Sequence, residues 1–324
     1  MHVVTVTHRT TYQYAFPVTL DEHELMVRPM AAEDLLVLDA RLHISGRASV
    51  RPARDAFGNV RETVAFGGDP VQAVTFVSHF TVHHTPRTLG EIEGAILANG
   101  GERLPPGVEA ALKEASRQRR GDPAGDLRAW ARSVAAGCPG QDPLDVMVAL
   151  NSQIFENFRY RRRDEPGTQD PLKTLSLGTG TCRDFAFLLI EAARSLGLPA
   201  RFVSGYLYND AVDADGADGL IGGGATHGWA QVHMAGAGWV DFDPTNDMIG
   251  GRNLIRAAVT LDPSDAVPIS GSFRGPVNAA PGMVVDVTVG SRPSSPHAWR
   301  RHNGGALAAG RRHCAAAQAI GMAA

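Results

Sequence analysis

The sequence is poor in cysteine and lacks long apolar runs, and these absences narrow the classes of protein it can encode. Its 324 residues include only Cys138, Cys182 and Cys314, too few and too scattered for a disulfide framework. No stretch approaches the roughly 20 apolar residues that a membrane-spanning helix needs. The opening residues lack the basic and apolar segments of a secretory signal. We therefore expect a cytoplasmic protein that does not enter a membrane.

The sequence also lacks a large excess of charge of either sign. The formal net charge is -3 and the sequence pI is about 6.5, so the composition gives no electrostatic reason to expect a nucleic-acid partner. Hydrophobic residues make up 44% of the chain, which is enough for a substantial core. At this length we expect about two domains.

Residues 1–88 alternate between apolar and polar side chains with a period of two, which predicts an antiparallel β domain. Val4 and Val6 begin one such segment, and Phe76 and Phe80 belong to another. Histidines occur at alternating strand positions, and none has the tight spacing of a metal ligand set. We interpret them as ordinary half-buried or surface residues; they are His8, His23, His43, His79, His83 and His84.

Residues 89–160 have a helical texture and form the helical part of the second domain. The pattern predicts helices over 108–120 and 126–136, and a third that starts after the N-cap Asp142 with a proline at its first position. Its core side chains are predicted to be Met147, Leu150, Ile154, Phe155 and Phe158. The basic run 159–163 has two interpretations, a phosphate or nucleic-acid site and a solvated helix end whose cations suit the helix dipole. The second is favoured.

A glycine-rich approach over 178–181 leads into a helix that carries Cys182 on its first turn. Thr181 followed three residues later by Asp184 resembles a capping box, which makes Thr181 the N-cap. Cys182 then faces unpaired backbone N–H groups and the positive end of the helix dipole. Such surroundings lower the pKa of a thiol and make it reactive at neutral pH. Cys182 is therefore a candidate nucleophile.

Two later residues can complete a catalytic set. A thiol that attacks a carbonyl needs a base, and the base needs a group that fixes its tautomer. His227 follows Cys182 by 45 residues and Asp243 follows by another 16. Each lies on a predicted strand, and neighbouring strands would place them side by side, facing the start of the Cys182 helix. Spacing alone does not establish this arrangement.

The remaining segments carry weaker signals. The loop 209–224 is dense in Asp and Gly, but Asp213, Asp215 and Asp218 do not match an EF-hand loop and no closing Glu follows. We favour a mobile loop beside the active site over a calcium site. Residues 262–290 are β-like, and the tail 291–324 has a low-complexity composition that predicts disorder. Cys314 lies in that tail and receives no role.

The motifs around the candidate residues resemble the transglutaminase-like superfamily. They are TGTCRDFA at 179–186, LGLPAR at 196–201, SGY at 204–206, HGWAQV at 227–232 and GWVDFDPT at 238–245. Residues 7–14, 27–29 and 55–59 resemble the β-rich N-terminal domain of its bacterial members. The resemblance covers about residues 2–290. It implies an α+β protein with an N-terminal antiparallel β domain, followed by a papain-like, transglutaminase-like core in which the cysteine helix packs on an antiparallel sheet.

The resemblance also implies residue roles. Cys182 would be the nucleophile, His227 the general base and acid, and Asp243 the residue that orients His227. Asp241 is the rival for the third role, and Asp243 is preferred because the aspartate of the family precedes Pro-Thr. Gly228 stands where many relatives have alanine, a change that could loosen the strand.

Other residues near the motifs remain open. The Cys182 backbone N–H would hold part of the oxyanion, with Gln153 or Tyr160 as candidates for a second donor. Trp229 and Trp239 either wall the cleft or pack in the core, and we interpret His233 as structural.

The implied organisation is a β domain over 1–88, helices over 89–160, a catalytic core over 161–261, a C-terminal β segment over 262–290 and the tail. We expect a thiol enzyme that hydrolyses peptide or amide bonds through a thioester. The alternatives are a transglutaminase that crosslinks glutamine to amines and an inactive binding protein. The expected partner is a peptide or protein substrate, which could contain glutamine. No cofactor, metal, nucleic acid or membrane partner is expected.

Overall fold

The computed structural model describes residues 2–163, 165–208, 221 and 224–293. Most of the loop 209–224, including Asp213, Asp215 and Asp218, lies outside these residues, as does the chain from 294 onward with Cys314. Within the described ranges, no helix is both long and apolar enough to cross a membrane.

Strands outnumber helices in the described chain. The strands are β1 (His2–Leu25), β2 (Leu35–Ile44), β3 (Ala48–Arg54), β4 (Val60–Phe66), β5 (Val71–His84), β6 (Arg159–Tyr160), β7 (Thr179–Gly180), β8 (Ala200–Leu207), β9 (His227–Met234), β10 (Gly238–Asp243), β11 (Met248–Ile249), β12 (Leu254–Thr260), β13 (Ile269–Arg274) and β14 (Pro281–Pro293). The helices are α1 (Leu89–Asn99), α2 (Pro106–Ala115), α3 (Asp126–Ala136), α4 (Pro143–Asn157), α5 (Pro171–Leu177) and α6 (Cys182–Ser195), with short 3-10 turns at Pro139–Gln141 and Pro263–Asp265.

The N-terminal sheet is antiparallel, with strand order β2-β5-β1-β4-β3. Its period-two pattern buries Val4, Val6 and Phe80 completely. The two last strands also pair with β1, and β14 runs beside β1 from His2 to Tyr14. The predicted C-terminal β segment is therefore built into the N-terminal sheet.

A second antiparallel sheet, in the order β11-β10-β9-β8-β12, forms the centre of the core. Helix α6 covers one face, where Phe185 and Leu189 pack with Phe202, Ala230 and Val232. The opposite face meets the N-terminal domain. There Trp229 and Val203 pack near Met30 and Phe57, and Tyr206 and Ile255 join the cluster around Val4 and Phe80. The predicted α+β fold class is confirmed.

Some local predictions were wrong. The helix expected over 108–120 is the shorter α2, and α1 and α5 were not foreseen. Helix α4 begins as predicted, with the Asp142 side chain accepting from Leu144 N, but Phe155 is 47% exposed and is not a core residue. The basic run is not a helix end, because α4 stops at Asn157 and Arg159–Tyr160 pair with Thr179–Gly180.

Candidate active site

The approach to Cys182 is fixed by a capping interaction at the start of α6. The Thr181 backbone N–H and hydroxyl donate to Oδ2 of Asp184 at 2.8 and 2.9 Å. This is the reciprocal contact predicted by the Thr-x-x-Asp spacing. It ends the extended β7 segment and makes Cys182 the first residue of the helix.

Asp184 also joins α6 to two segments that sequence reasoning did not connect to it. Arg163 donates from Nε and Nη2 to the two carboxylate oxygens at 2.8 and 2.9 Å, and Gln169 N donates at 2.6 Å. Burial would raise the pKa of Asp184, but these donors outweigh burial and lower the pKa. Arg163 lies 21 positions away, and only its place in a basic run marked it in the sequence. Asp184 thus ties three segments together around the nucleophile.

We expect Asp184→Asn to destabilise the protein by about 3 kcal/mol, because it leaves Arg163 beside a neutral amide in a buried position and removes acceptors from three donors. Chemical denaturation measures the change in the free energy of unfolding. The matched control is Asp145→Asn, in the first turn of α4, where the carboxylate makes no ion pair with a described residue. Equal stability of the two variants would contradict this role of Asp184.

His227 and Asp243 lie side by side at adjacent ends of β9 and β10. The His227 Nε2 to Asp243 Oδ2 distance is 2.8 Å, and both side chains are buried. Asp243 is held in turn by the Thr245 backbone N–H at 2.9 Å and by Nδ2 of Asn246 at 2.8 Å. A carboxylate fixed in this way keeps the proton on Nε2 and leaves Nδ1 for another group.

That other group is Cys182. Its side chain lies within electrostatic reach of His227, whose Nδ1 makes no hydrogen bond of ordinary geometry. Burial alone would lower the pKa of His227, but the charges of Asp243 and Cys182 raise it to about 10. Burial alone would raise the pKa of Cys182, yet the interaction with His227 lowers it. Each group therefore favours the charged form of the other, the thiolate of Cys182 and the imidazolium of His227.

Gly228 contributes its main chain to the same place. Its backbone N–H favours the thiolate of Cys182 and helps to lower the thiol pKa. A Cβ at this position would lie 2.8 Å from Phe202 Cζ and 3.2 Å from Arg183 Cγ. The Phe202 ring therefore occupies the space that a side chain at position 228 would need. This close approach explains why a glycine lies at this position of β9.

Asp241 is occupied elsewhere. Its Oδ1 accepts from Trp229 Nε1 at 2.7 Å and from Gln231 Nε2 at 2.8 Å, and its Oδ2 accepts from Arg256 at 3.2 Å. Trp229 is fully buried and stacks on the His227 ring with the centroids 6.0 Å apart. Asp241 thus holds the Trp229 ring that stacks on His227, but Asp241 itself does not contact the imidazole. Trp229 is a core residue.

Trp239 and His233 lie away from Cys182. Arg201 stacks over the Trp239 ring at 3.9 Å, and both line a separate cavity of about 570 Å³ between the catalytic sheet and the N-terminal domain. His233 packs edge-on against Trp239, with the ring centroids 5.5 Å apart. Neither side chain walls the space around the nucleophile.

The two candidates for a second oxyanion donor differ in position. Tyr160 pairs in register with Gly180, two residues before Cys182, and burial followed by the charge of Cys182 raises its pKa. The Gln153 side chain instead accepts from Nδ2 of Asn157 at 3.3 Å along its own helix. Tyr160 lies within electrostatic reach of the nucleophile.

Two of the N-terminal histidines, His8 and His84, bond to tyrosine hydroxyls and not to the residues around Cys182. His8 bonds to the hydroxyls of Tyr206 and Thr10 at 2.9 Å, and burial lowers its pKa to about 4. His84 bonds to the Tyr208 hydroxyl at 3.0 Å. Both rings tie the N-terminal sheet to β8 and the residue after it. Among the described residues, no group of three or more His, Cys, Asp or Glu side chains is placed to hold a metal ion.

Comparison with known proteins agrees with this architecture. The model of the transglutaminase-like superfamily matches residues 128–244, and that of the bacterial transglutaminase-like N-terminal region matches residues 4–83. An uncharacterised protein of Mycobacterium tuberculosis is 29% identical over 296 residues, covering 89% of this chain and 92% of that protein. One from Mycobacterium leprae is 35% identical over 127 residues, 38% of this chain and 44% of that protein.

A solved structure has the same fold. It is a protein of Cytophaga hutchinsonii provisionally assigned as a cysteine protease. The two chains share 19% identity with a TM-score of 0.65, and the match covers 91% of this chain and 93% of that one. At this identity the likeness concerns the fold.

Proposed function

Because the chain belongs to the transglutaminase-like superfamily and carries its bacterial N-terminal region, we propose that it is a thiol-dependent acyl-transfer enzyme that hydrolyses peptide or amide bonds. Cys182 is the nucleophile, His227 the general acid and base, and Asp243 the residue that orients His227. The observation that carries the proposal is the His227–Asp243 contact of 2.8 Å beside a thiol whose pKa is lowered by the same histidine.

The first half of the reaction forms a thioester. The Cys182 thiolate attacks the carbonyl carbon, and the oxyanion accepts hydrogen bonds from the Cys182 N–H and the Tyr160 hydroxyl. One such donor contributes roughly 3 kcal/mol to transition-state stabilisation. The C–N bond then breaks, and Nδ1 of the His227 imidazolium gives its proton to the departing amine.

The second half releases the acid. Neutral His227 takes a proton from water, and the hydroxide forms a bond to the thioester carbon. The C–S bond breaks and restores the thiolate beside an imidazolium. Asp243 orients His227 and stabilises its imidazolium form. An amine that replaces water gives the crosslinking reaction from the same thioester, so the two activities differ only in which nucleophile reaches it.

The partition between water and amine is measurable. We expect glutamine-containing peptides incubated with the protein to yield more cleaved or deamidated product than amine adduct, even with a labelled primary amine present at millimolar concentration. Mass spectrometry quantifies both products. Amine incorporation in excess of hydrolysis would replace the hydrolase proposal by the transglutaminase one, and no Cys182-dependent product would favour the inactive binding protein.

We propose the cytoplasm as the location of this activity. Both described cysteines, Cys138 and Cys182, are free thiols, and a reactive thiol without a partner is maintained most easily in a reducing compartment.

A further inference from the structure

An open strand edge lies next to the nucleophile. Strand β6 pairs in parallel with β7 through Arg159 N to Gly178 O and Arg161 N to Gly180 O, both at 2.8 Å. Main-chain groups of successive strand residues point to opposite edges, so the N–H and C=O of Tyr160 face away from β7. In the part of the chain that the structure describes, no third strand pairs with this edge.

Cationic side chains surround that edge. Arg159, Arg161 and Arg162 are exposed, and none forms an ion pair with a residue that the structure describes. Arg163 differs, because its charge is neutralised by Asp184 at 2.8 Å and approached by Glu165 at 3.7 Å. The basic run therefore contains one arginine with a structural role, Arg163, and three exposed arginines whose charges are available to bind a ligand.

Strand geometry divides these side chains between two faces. Arg159 and Tyr160 point to opposite faces of β6. The bond from Arg161 N to Gly180 O continues the ladder by one residue, so Arg161 shares the face of Arg159. Tyr160 is within electrostatic reach of both Cys182 and Arg162. The charge of Arg162 thus lies near the tyrosine that approaches the reacting thiol.

We propose that the outer edge of β6 binds the main chain of an extended substrate as an added strand, and that Arg162, aided by Arg159 and Arg161, selects acidic residues beside the scissile carbonyl. Strand addition supplies affinity through main-chain hydrogen bonds, and charge complementarity supplies selectivity. The selectivity for a reacting bond rests on the proposed function, whereas the binding of an acidic strand rests on the β6 edge alone.

A peptide fits this edge better than a nucleic acid does. The Tyr160 C=O accepts a hydrogen bond and its N–H donates one, and a peptide offers both partners at strand spacing. A phosphodiester backbone offers acceptors only. The formal net charge of -3 gives no general attraction for polyanions.

The first test is kinetic. The substrates are acetylated hexapeptides with a central glutamine–alanine bond, which is flanked on each side by a pair of Asp, Ser or Lys residues. We expect kcat/KM to be about tenfold higher for the Asp peptide than for the Lys peptide, with the ratio falling toward one in 1 M NaCl. Arg162→Gln should reduce the ratio. Arg128→Gln, which removes an exposed cation from α3, should leave it unchanged.

The second test needs no turnover. A fluorescent Asp peptide is titrated against Cys182→Ala protein, and each peptide nitrogen is methylated in turn. We expect weaker binding at alternating positions, because a strand presents every second N–H to β6. Equal binding of Asp and Lys peptides with a flat methylation scan would overturn the proposal, and so would tighter binding of a single-stranded DNA of equal charge.

The two proposals fail separately. Turnover that depends on Cys182 but is insensitive to peptide charge and methylation would contradict substrate binding at the β6 edge and support the proposed enzyme activity. Binding of the Asp peptide with the expected methylation pattern, but without any product, would support peptide binding at the β6 edge and contradict the proposed enzyme activity.

Discussion

Cys182→Ala is expected to lower kcat/KM by about 10⁵-fold, because removing the nucleophile of a coupled catalytic set removes nearly all of its contribution. The fold should survive, because the change removes one sulfur atom at the first position of α6 and alanine is a good helix former. The matched control is Cys138→Ala, which removes a half-buried thiol near the backbone carbonyls of Val134 and Asp145. This variant should retain full activity.

Alkylation checks the same residue without a known substrate. At pH 6 an ordinary thiol is ionised to well below about 1%, whereas the lowered pKa of Cys182 gives its thiol a larger ionised fraction. Iodoacetamide at pH 6, followed by peptide mapping, should modify Cys182 well before Cys138. Equal rates at the two thiols would remove the basis for a thiolate nucleophile.

Asp243→Asn is expected to lower kcat/KM near neutral pH by about 10³-fold, because the imidazole loses its orienting charge. The sign of the pH effect follows from the raised pKa. In the native protein the imidazolium persists up to a pH of about 10, and the alkaline limb of the profile should lie there. Without Asp243, His227 loses the largest of the interactions that raise its pKa, so the alkaline limb should move to lower pH. The charge of Asp243 also raises the pKa of the Cys182 thiol, so the acid limb should not move to higher pH in this variant, and the active window should shift toward lower pH.

Asp241→Asn is the control for this experiment. Asp241 contacts Trp229, Gln231 and Arg256 but not the imidazole, so its loss should reduce stability and leave the alkaline limb near its native position. A pH profile that shifts in Asp241→Asn and stays in place in Asp243→Asn would show that Asp241, and not Asp243, orients His227. Complete pH profiles of kcat/KM for the three proteins decide between these outcomes.

Local chemistry made much of the fold predictable. The Thr181 and Asp184 spacing identified the start of α6, and the Asp142-Pro143 pair identified the start of α4. Strand alternation identified the N-terminal β domain. The confirmed α+β class follows from these signals and from the superfamily motifs. The catalytic roles of Cys182, His227 and Asp243 remain predictions, although the structure brings the three side chains together.

Long-range contacts account for what the sequence did not reveal. The basic run was assigned to a helix end because the strand pairing that claims Arg159 and Tyr160 involves residues 20 positions later. Phe155 fits the helical period of α4, but it falls on the solvent side. The supporting contacts of Asp184 with Arg163 and of Asp241 with Trp229 join residues from separate elements. No local pattern identifies these distant partners, although the capping-box spacing does mark Asp184 itself.

The pairing of β14 with β1 has a consequence for biosynthesis. Residues 2–14 of β1 lie between β5 on one side and β14 on the other, and β14 leaves the ribosome more than 260 residues after β1. At about 5–20 residues per second, this delay is on the order of tens of seconds. During that time one side of β1 has no partner in a sheet that is already long enough to aggregate. The N-terminal sheet is thus completed last, after the segment that carries Cys182 has been synthesised.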